Sequence, residues 1–201
     1  MIDNYIENRT HLIEITNDLL KKVSTSNDMV AVNVGSGKNN YAGMINIDKY
    51  MKSKGIIPAD MCHLPFKEGT VDLIFSEHSL EHLPLRYSSR ALVGWYTALK
   101  KGGTLFLSMP DLDLVLKSLL EPDLSPEARR WRLYTLFGYQ TDMEINDYVS
   151  DPPVDSGQFH CSGHSLKTLT EELTSIGYKV EESFNYEGFG TPGLFMRATK
   201  L

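Results

Sequence analysis

The chain has 201 residues, enough for one well-buried core and within the usual size of a single domain. Its composition, 41% hydrophobic and 23% charged, is that of an ordinary soluble globular protein. With 20 basic residues against 26 acidic ones the formal charge is −6, which argues against a phosphate-neutralising surface and so against nucleic acid as the main partner. The basic clusters at Lys49, Lys52 and Lys54 and at Arg129, Arg130 and Arg132 read as solvated faces. The first 22 residues lack the basic head and apolar stretch of a secretory signal, and no run approaches the ~18 apolar residues of a membrane span. Cys62 and Cys161 cannot build a disulfide framework. The expectation is a soluble, cytoplasmic protein without a membrane span, monomeric or a homodimer.

In chain order, residues 2–23 place Ile2, Ile6, Ile13 and Leu20 on one helical stripe, which predicts an N-terminal helix ending by about residue 25. "MVAVNV" (29–34) is short and nearly all apolar, the pattern of a strand covered on both faces. "GMINID" (43–48), "GIIPAD" (55–60), "VDLIFS" (71–76) and "GTLFLSMP" (103–110) read as four more strands. Between the last two, a helix or helix pair begins around Pro84 and ends at the glycines after Lys101. Residues 111–120 are helical, as are 125–138, where Ser125 and Pro126 take the N-cap and N1 positions. In 165–177, Leu166, Leu169, Leu173 and Ile176 recur at helical spacing before Gly177. "YKVEESFNYEGFG" and "LFMRATK" close the chain as two antiparallel strands joined by a short connection containing Pro192.

Alternating strands and helices predict an α/β fold, a doubly wound, largely parallel sheet with right-handed crossovers. Ligands of such sheets bind outside the carboxyl ends of the strands. The turn "GSG" follows the first strand, while Asp48, Asp60 and Ser76–Glu77 end others, so four strand ends converge on one rim. The whole chain reads as one domain, with residues 111–165 as a helical and loop insertion over an acceptor site and 146–160 as a loop across it.

The glycine turn decides between ligands. A dinucleotide fingerprint needs a third glycine and an acid about 20 residues on; here Asn40 stands in the glycine's place and Asp48 follows Gly35 by 13 positions. "KNNYAG" leaves no room for the crossover helix whose N-terminus holds a pyrophosphate. The phosphate-gripping loop is also missing, since Gly37–Lys38 is followed by Asn39. A nucleoside without phosphates fits better. Asp48 can accept both hydroxyls of a ribose, Asp60 and Met61 can supply an adenine edge, and an amino-acid tail can lie on the Gly35–Gly37 backbone. These are the parts of S-adenosylmethionine.

The run "VNVGSG…MINID…ADMCHLPFKEGTVDLIFSEHSLEHLP…ALKKGGTLFLSMPD", about residues 29–111, resembles the class I S-adenosylmethionine-dependent methyltransferases, in particular the small-molecule branch called type 11. The resemblance implies a Rossmann-like seven-stranded sheet in the order 3-2-1-4-5-7-6, strand seven antiparallel, with helices on both faces. It implies S-adenosyl-L-methionine as cofactor and S-adenosyl-L-homocysteine as product. Carried onto this sequence, it places Gly35, Ser36 and Gly37 by the methionine moiety, Asp48 on the ribose and Asp60 and Met61 at the adenine, with Asn33 a further cofactor-binding residue. Ser76 and Glu77 would line the methyl-transfer face. The departure is the short "GSGKNNYAG" connection.

The implied activity is methyl transfer to O or N of a small molecule or sugar precursor. A sulfonium already activates its methyl group, so alignment, worth roughly 7–11 kcal/mol, makes a base optional. His82 and His160 are the candidate bases, with a hydrogen-bonded structural role as the plain alternative. His78 reads more readily as structural. "HCSGH" (160–164) has a superficial metal look, but only Cys62 and His63 offer to complete it, without zinc-type spacing, so no metal is expected. Glu81 is placed at a helix start, where a carboxylate suits the local dipole. Trp131, Tyr134, Phe137 and Tyr139 follow helical spacing and read as core, or else as an apolar wall for the acceptor. The competing reading is a catalytically silent, cofactor-binding regulatory or scaffolding protein; a dehydrogenase is a distant third.

Overall fold

The computed structural model describes residues 2–138, 159–188 and 190–201, with the side chains of residues 2–4 and 6 left aside. Helix α1 (Ile2–Thr25) precedes strands β1 (Ala31–Val34), β2 (Met44–Asp48), β3 (Ile56–Pro58) and β4 (Val71–Glu77). A 3-10 turn (Leu80–His82) and α2 (Leu85–Ala98) lead to β5 (Leu99–Pro110). Helices α3 (Leu112–Leu119), α4 (Pro126–Phe137) and α5 (Leu166–Ile176) follow, then β6 (Tyr178–Gly188) and β7 (Thr191–Lys200). The seven strands form one sheet in the order β3-β2-β1-β4-β5-β7-β6. Strand β7 runs antiparallel to both neighbours and the remaining pairs are parallel. This is the expected order and sense.

Two apolar layers hold the sheet. On one face α2 and α5 set Leu92, Trp95, Leu169 and Leu173 against Val32, Ile74, Leu105 and Met196. Residues 59–66 complete that layer, and the Trp95 indole donates to the Met61 carbonyl at 2.9 Å. On the other face α1 lays Leu12, Ile15, Leu19, Leu20 and Val23 over Leu73, Phe75, Phe106 and Phe195. Ile13, expected on that stripe, is 52% exposed, because the packed face runs through its neighbour Leu12 and through Ile15. Ile2 and Ile6 lie outside the described side chains. Far along the chain, Asn8 donates to the Asn185 carbonyl at 2.7 Å and His11 meets Glu182 at 2.8 Å, which fixes α1 to β6.

No helix stands between β1 and β2. Asparagines brace this connection instead: Asn46 Oδ1 accepts from Asn33 Nδ2 at 3.0 Å and from the Tyr41 N–H at 3.1 Å. The Asn46 amide donates in turn to Asn40 Oδ1 at 2.9 Å and to the Tyr41 carbonyl at 3.1 Å. A buried side-chain amide thus satisfies backbone that a helix would have satisfied itself.

Three expectations need correction. Helix α2 stops at Ala98, not at Gly102, and β5 begins at Leu99 with a register shift opposite Val71–Leu73. The glycines serve that irregularity: Gly102 has φ +78, and a Cβ on Gly103 would stand 2.8 Å from the Lys100 carbonyl oxygen. Pro192 lies inside β7, opposite Glu187, rather than in the connection. The aromatic set on α4 is not core, for Trp131, Tyr134 and Phe137 are 41%, 36% and 50% exposed and no residue of that helix is buried. Tyr139 and most of the predicted 146–160 loop lie outside the described residues.

Asp111 shows how a buried carboxylate is accommodated here. It is 2% exposed and caps α3 by accepting from the Leu114 N–H at 3.0 Å. Its other oxygen accepts from the Leu166 N–H at 2.9 Å and from Asn185 Nδ2 at 2.8 Å. One side chain therefore joins the start of α3, the start of α5 and strand β6.

Candidate active site

The carboxyl ends of β1, β2 and β4 meet at the Gly35–Gly37 turn. Gly35 (φ +67) and Gly37 (φ +53) both occupy the left-handed region that favours glycine. At Gly35 a Cβ would stand 2.3 Å from the Ser79 Cβ and 3.4 Å from the Met61 Cε, so strands β1 and β4 close up only on a bare backbone. At Gly37 nothing lies within 4 Å of where a Cβ would be, which leaves an open cradle. Ser36 between them is 3% exposed, and its hydroxyl has no hydrogen-bond partner among the described residues.

Asp48, at the tip of β2, accepts from the Gly37 N–H at 2.9 Å and from the Tyr50 and Met51 N–H groups, each at 2.8 Å. Its carboxylate sits at the turn as expected, held by three backbone donors. Asp60 lies in the turn after β3 rather than at the strand's last residue. It accepts from the Cys62 N–H at 2.9 Å and pairs with Lys49 at 3.2 Å. Burial alone would raise its pKa, but the Cys62 N–H and the Lys49 ammonium outweigh burial and hold it below the ordinary value. Met61 touches the position beside Gly35.

Two of the expected residues turn inward. Asn33 is 2% exposed and belongs to the asparagine brace below the turn. Ser76 is wholly buried, its hydroxyl bonded to that of Ser79, which also donates to the Val34 carbonyl at 3.3 Å. Both position the rim rather than line it. Glu77 ends β4 half-buried beside Tyr41, whose hydroxyl burial and the Glu77 charge push above its ordinary pKa.

Past β4 the backbone is strained. His78 is the one non-glycine residue with positive φ (48°) among the described residues, a conformation that clusters at functional sites. Its N–H donates to the Ser108 carbonyl at 2.9 Å, and its Nε2 lies 3.4 Å from the Tyr186 hydroxyl. Its Nδ1 lies 3.4 Å from the Glu81 carboxylate. Burial opposes protonation of His78, but Glu81 and Glu77 outweigh it and raise the imidazole's pKa.

Glu81 lies in the first turn of the 3-10 helix, at a helix start as expected, and is 1% exposed. Its backbone carbonyl accepts from the Cys161 and Ser162 N–H groups at 2.8 and 3.2 Å, bringing residues 159–162 onto the turn. His82 and His160 come together there with ring centroids 4.8 Å apart. His164 is set apart in a structural role, between Ser88 Oγ at 3.3 Å and Glu172 at 3.5 Å. Cys62 and His63 take no part in this corner. Neither the approach of His82 to His160, the depth of Glu81, the Tyr186 contact nor the asparagine brace is foreseen from the sequence.

With this geometry in view, the comparisons are consistent. Residues 16–107 match the family model described as a methyltransferase domain. No sequence among curated proteins matches the chain. A solved S-adenosylmethionine-dependent methyltransferase from Methanosarcina mazei is similar over 89% of this chain and 95% of its own, with TM-score 0.60 and 14% identity. Magnesium protoporphyrin IX methyltransferase from Synechocystis, with S-adenosylhomocysteine bound, is similar over 96% and 84%, with TM-score 0.59 and 12% identity. The 1,6-didemethyltoxoflavin-N1-methyltransferase of Burkholderia thailandensis is similar over 85% and 70%, with TM-score 0.55 and 13% identity. At these identities the likeness is one of fold. The matched segment is that of a methyltransferase domain, and the sheet order is the fold these S-adenosylmethionine-dependent methyltransferases share. S-adenosylmethionine-dependent methyl transfer is therefore the activity that the matched segment and the fold support.

Proposed function

We propose that the protein moves a methyl group to an oxygen or nitrogen atom of a small molecule or sugar precursor. The observation that carries this reading is the rim itself: an open backbone cradle at Gly37, an unpartnered Ser36 hydroxyl and the Asp48 carboxylate, all within one turn. The cofactor's sulfonium supplies an already activated methyl group. The chain's task is to bind, orient and exclude water. The Gly35–Gly37 backbone and Ser36 receive the amino-acid end, Asp48 takes a ribose hydroxyl on the lone pair its three backbone donors leave, and Asp60 with Met61 borders the adenine. Glu77 and the strained His78 turn face the transferring group. Proton removal, where the acceptor requires it, falls to His82 or His160. Each has its Nδ1 on a backbone carbonyl, Phe159 at 3.0 Å and Thr135 at 2.7 Å, which leaves Nε2 as the free ring nitrogen.

A negative formal charge of −6 suits a small, uncharged or cationic acceptor better than nucleic acid. No helix among the described residues is long and apolar enough to cross a membrane. Calorimetry with S-adenosylhomocysteine tests the reading: wild type binds, and Asp48→Ala weakens binding by about 10–150-fold, the equivalent of ~1.5–3 kcal/mol for a charge-assisted hydrogen bond. Undiminished binding by Asp48→Ala would remove Asp48 from the ribose. Label transfer from methyl-labelled cofactor into a metabolite extract reports turnover, and binding without transfer would favour the silent regulatory reading instead.

A further inference from the structure

The Glu81 carboxylate is buried without the donors that Asp111 enjoys. Neither of its oxygens has a hydrogen-bond partner among the described residues. The His78 imidazole at 3.4 Å is longer than a charge-assisted hydrogen bond. With this one long ion pair to His78 set against complete burial, the carboxylate is under-compensated, so the site suits a further cation. Two imidazoles are placed to help supply one. One ligand-type atom each from Glu81, His82 and His160 lies within 4.8 Å of the others. Ligands sharing a tetrahedral zinc at 2.0–2.2 Å stand roughly 3.3–3.6 Å apart, so side-chain shifts of about 1 Å close the set.

The hydrogen bonds outside this cluster match what a metal requires. Metal-binding histidines donate their other ring N–H to a carbonyl or carboxylate, which fixes the tautomer and turns the free nitrogen to the ion. His82 and His160 both have Nδ1 on backbone carbonyls. A cavity of about 20 Å³ borders Glu81 and His160, together with Thr135 and Ser162. The Ser162 hydroxyl is also buried without a hydrogen-bond partner. That space admits one water-sized group, which an ion could hold in its fourth position.

We propose that Glu81, His82 and His160 form a binding site for a divalent transition metal, zinc foremost, which ties the turn after β4 to residues 159–162. Two imidazoles and one carboxylate with an open position suit zinc rather than magnesium or calcium, which prefer all-oxygen shells. The donor set spans the turn beside the cofactor rim and the chain segment returning from the insertion, so the ion would fix one against the other. The site stands apart from the Asp48 cradle, and its test does not depend on the cofactor reading; with the ion bound, His82 and His160 serve as ligands and not as bases.

The experiment is metal analysis of the purified full chain by plasma mass spectrometry, followed by titration of metal-stripped protein with Zn²⁺ and with Co²⁺, whose visible absorption reports its ligands. The expected result is one ion per chain and cobalt bands typical of nitrogen and oxygen ligation. His160→Ala and Glu81→Gln should each weaken binding by more than about 100-fold, beyond the 10–100-fold typical of losing a supporting partner alone. Far-ultraviolet circular dichroism and a cooperative thermal transition show that the variants fold. Should the buried Glu81→Gln unfold, His82→Gln takes its place. Absence of stoichiometric Zn²⁺ or Co²⁺ binding at micromolar concentration would overturn the proposal, as would wild-type affinity in a folded His160→Ala variant.

Discussion

Two glycines two positions apart do different work. An alanine at Gly35 would drive its Cβ to 2.3 Å from Ser79 while holding φ at +67. Gly35→Ala should therefore cost about 3 kcal/mol or more, from overpacking and left-handed strain together. Gly37→Ala meets open space and should cost about 1–2 kcal/mol, from backbone strain alone. Urea denaturation of the two variants checks the order, and a larger loss for Gly37→Ala would contradict it. The cysteines differ as sharply. Burial, reinforced by the Asp60 carboxylate, pushes the Cys62 thiol up to about 11, whereas Cys161 is exposed. Iodoacetamide at pH 8 should label Cys161 and spare Cys62 in the native protein, with peptide mass spectrometry as the readout. At this scale much was legible from sequence. Asp48 announces itself because an acid closing an apolar strand beside a glycine turn has few other uses. The Glu81 corner does not, because 77 residues separate His82 from the Phe159 carbonyl it engages, and no spacing rule spans that distance.

Among the elements, the helices with good caps were placed within a residue. Helix α5 opens with a capping box in which Ser165 Oγ accepts from the Thr168 N–H at 3.3 Å and Thr168 Oγ1 accepts from the Ser165 N–H at 2.9 Å. Gly177 ends it at φ +115. Ser165→Ala should lower stability by about 1 kcal/mol, visible as a reduced thermal midpoint with S-adenosylhomocysteine affinity preserved, since α5 lies behind the sheet. The misread elements share a cause. Periodicity reports that a helix has an apolar stripe, not which neighbour covers it, so Trp131, Tyr134 and Phe137 on α4 read as core although they stay exposed. The end of α2 was misplaced for a different reason: Gly102–Gly103 looked like a helix stop, while β5 uses them to absorb an irregular pairing with β4.

For the whole molecule, acid stability follows from carboxylates that the fold engages. Burial would raise the Asp72 pKa, but two Lys100 contacts at 2.8 Å and the Val30 N–H at 2.8 Å hold it below the ordinary value. Asp60 behaves likewise. A carboxyl with a depressed folded-state pKa contributes fully above its unfolded value and loses that contribution as the pH falls through the folded one. The urea midpoint should thus begin to drop below about pH 4, modestly because these side chains are partly exposed, at 31% for Asp72 and 36% for Asp60. Asp72→Asn should flatten the drop. The strand order was legible as a resemblance long before any contact was known, because it depends on element sequence rather than side-chain detail. What covers each face was not.

The bond from Asn8 to the Asn185 carbonyl joins positions 177 residues apart. During synthesis, α1 leaves the ribosome long before its final neighbour exists, with the apolar residues Leu12 and Val23 waiting for a sheet. The α1–β6 contact can therefore form only after translation has reached β6, a pairing of high sequence separation. Until then the young chain presents a greasy ribbon, the kind of segment chaperones grasp.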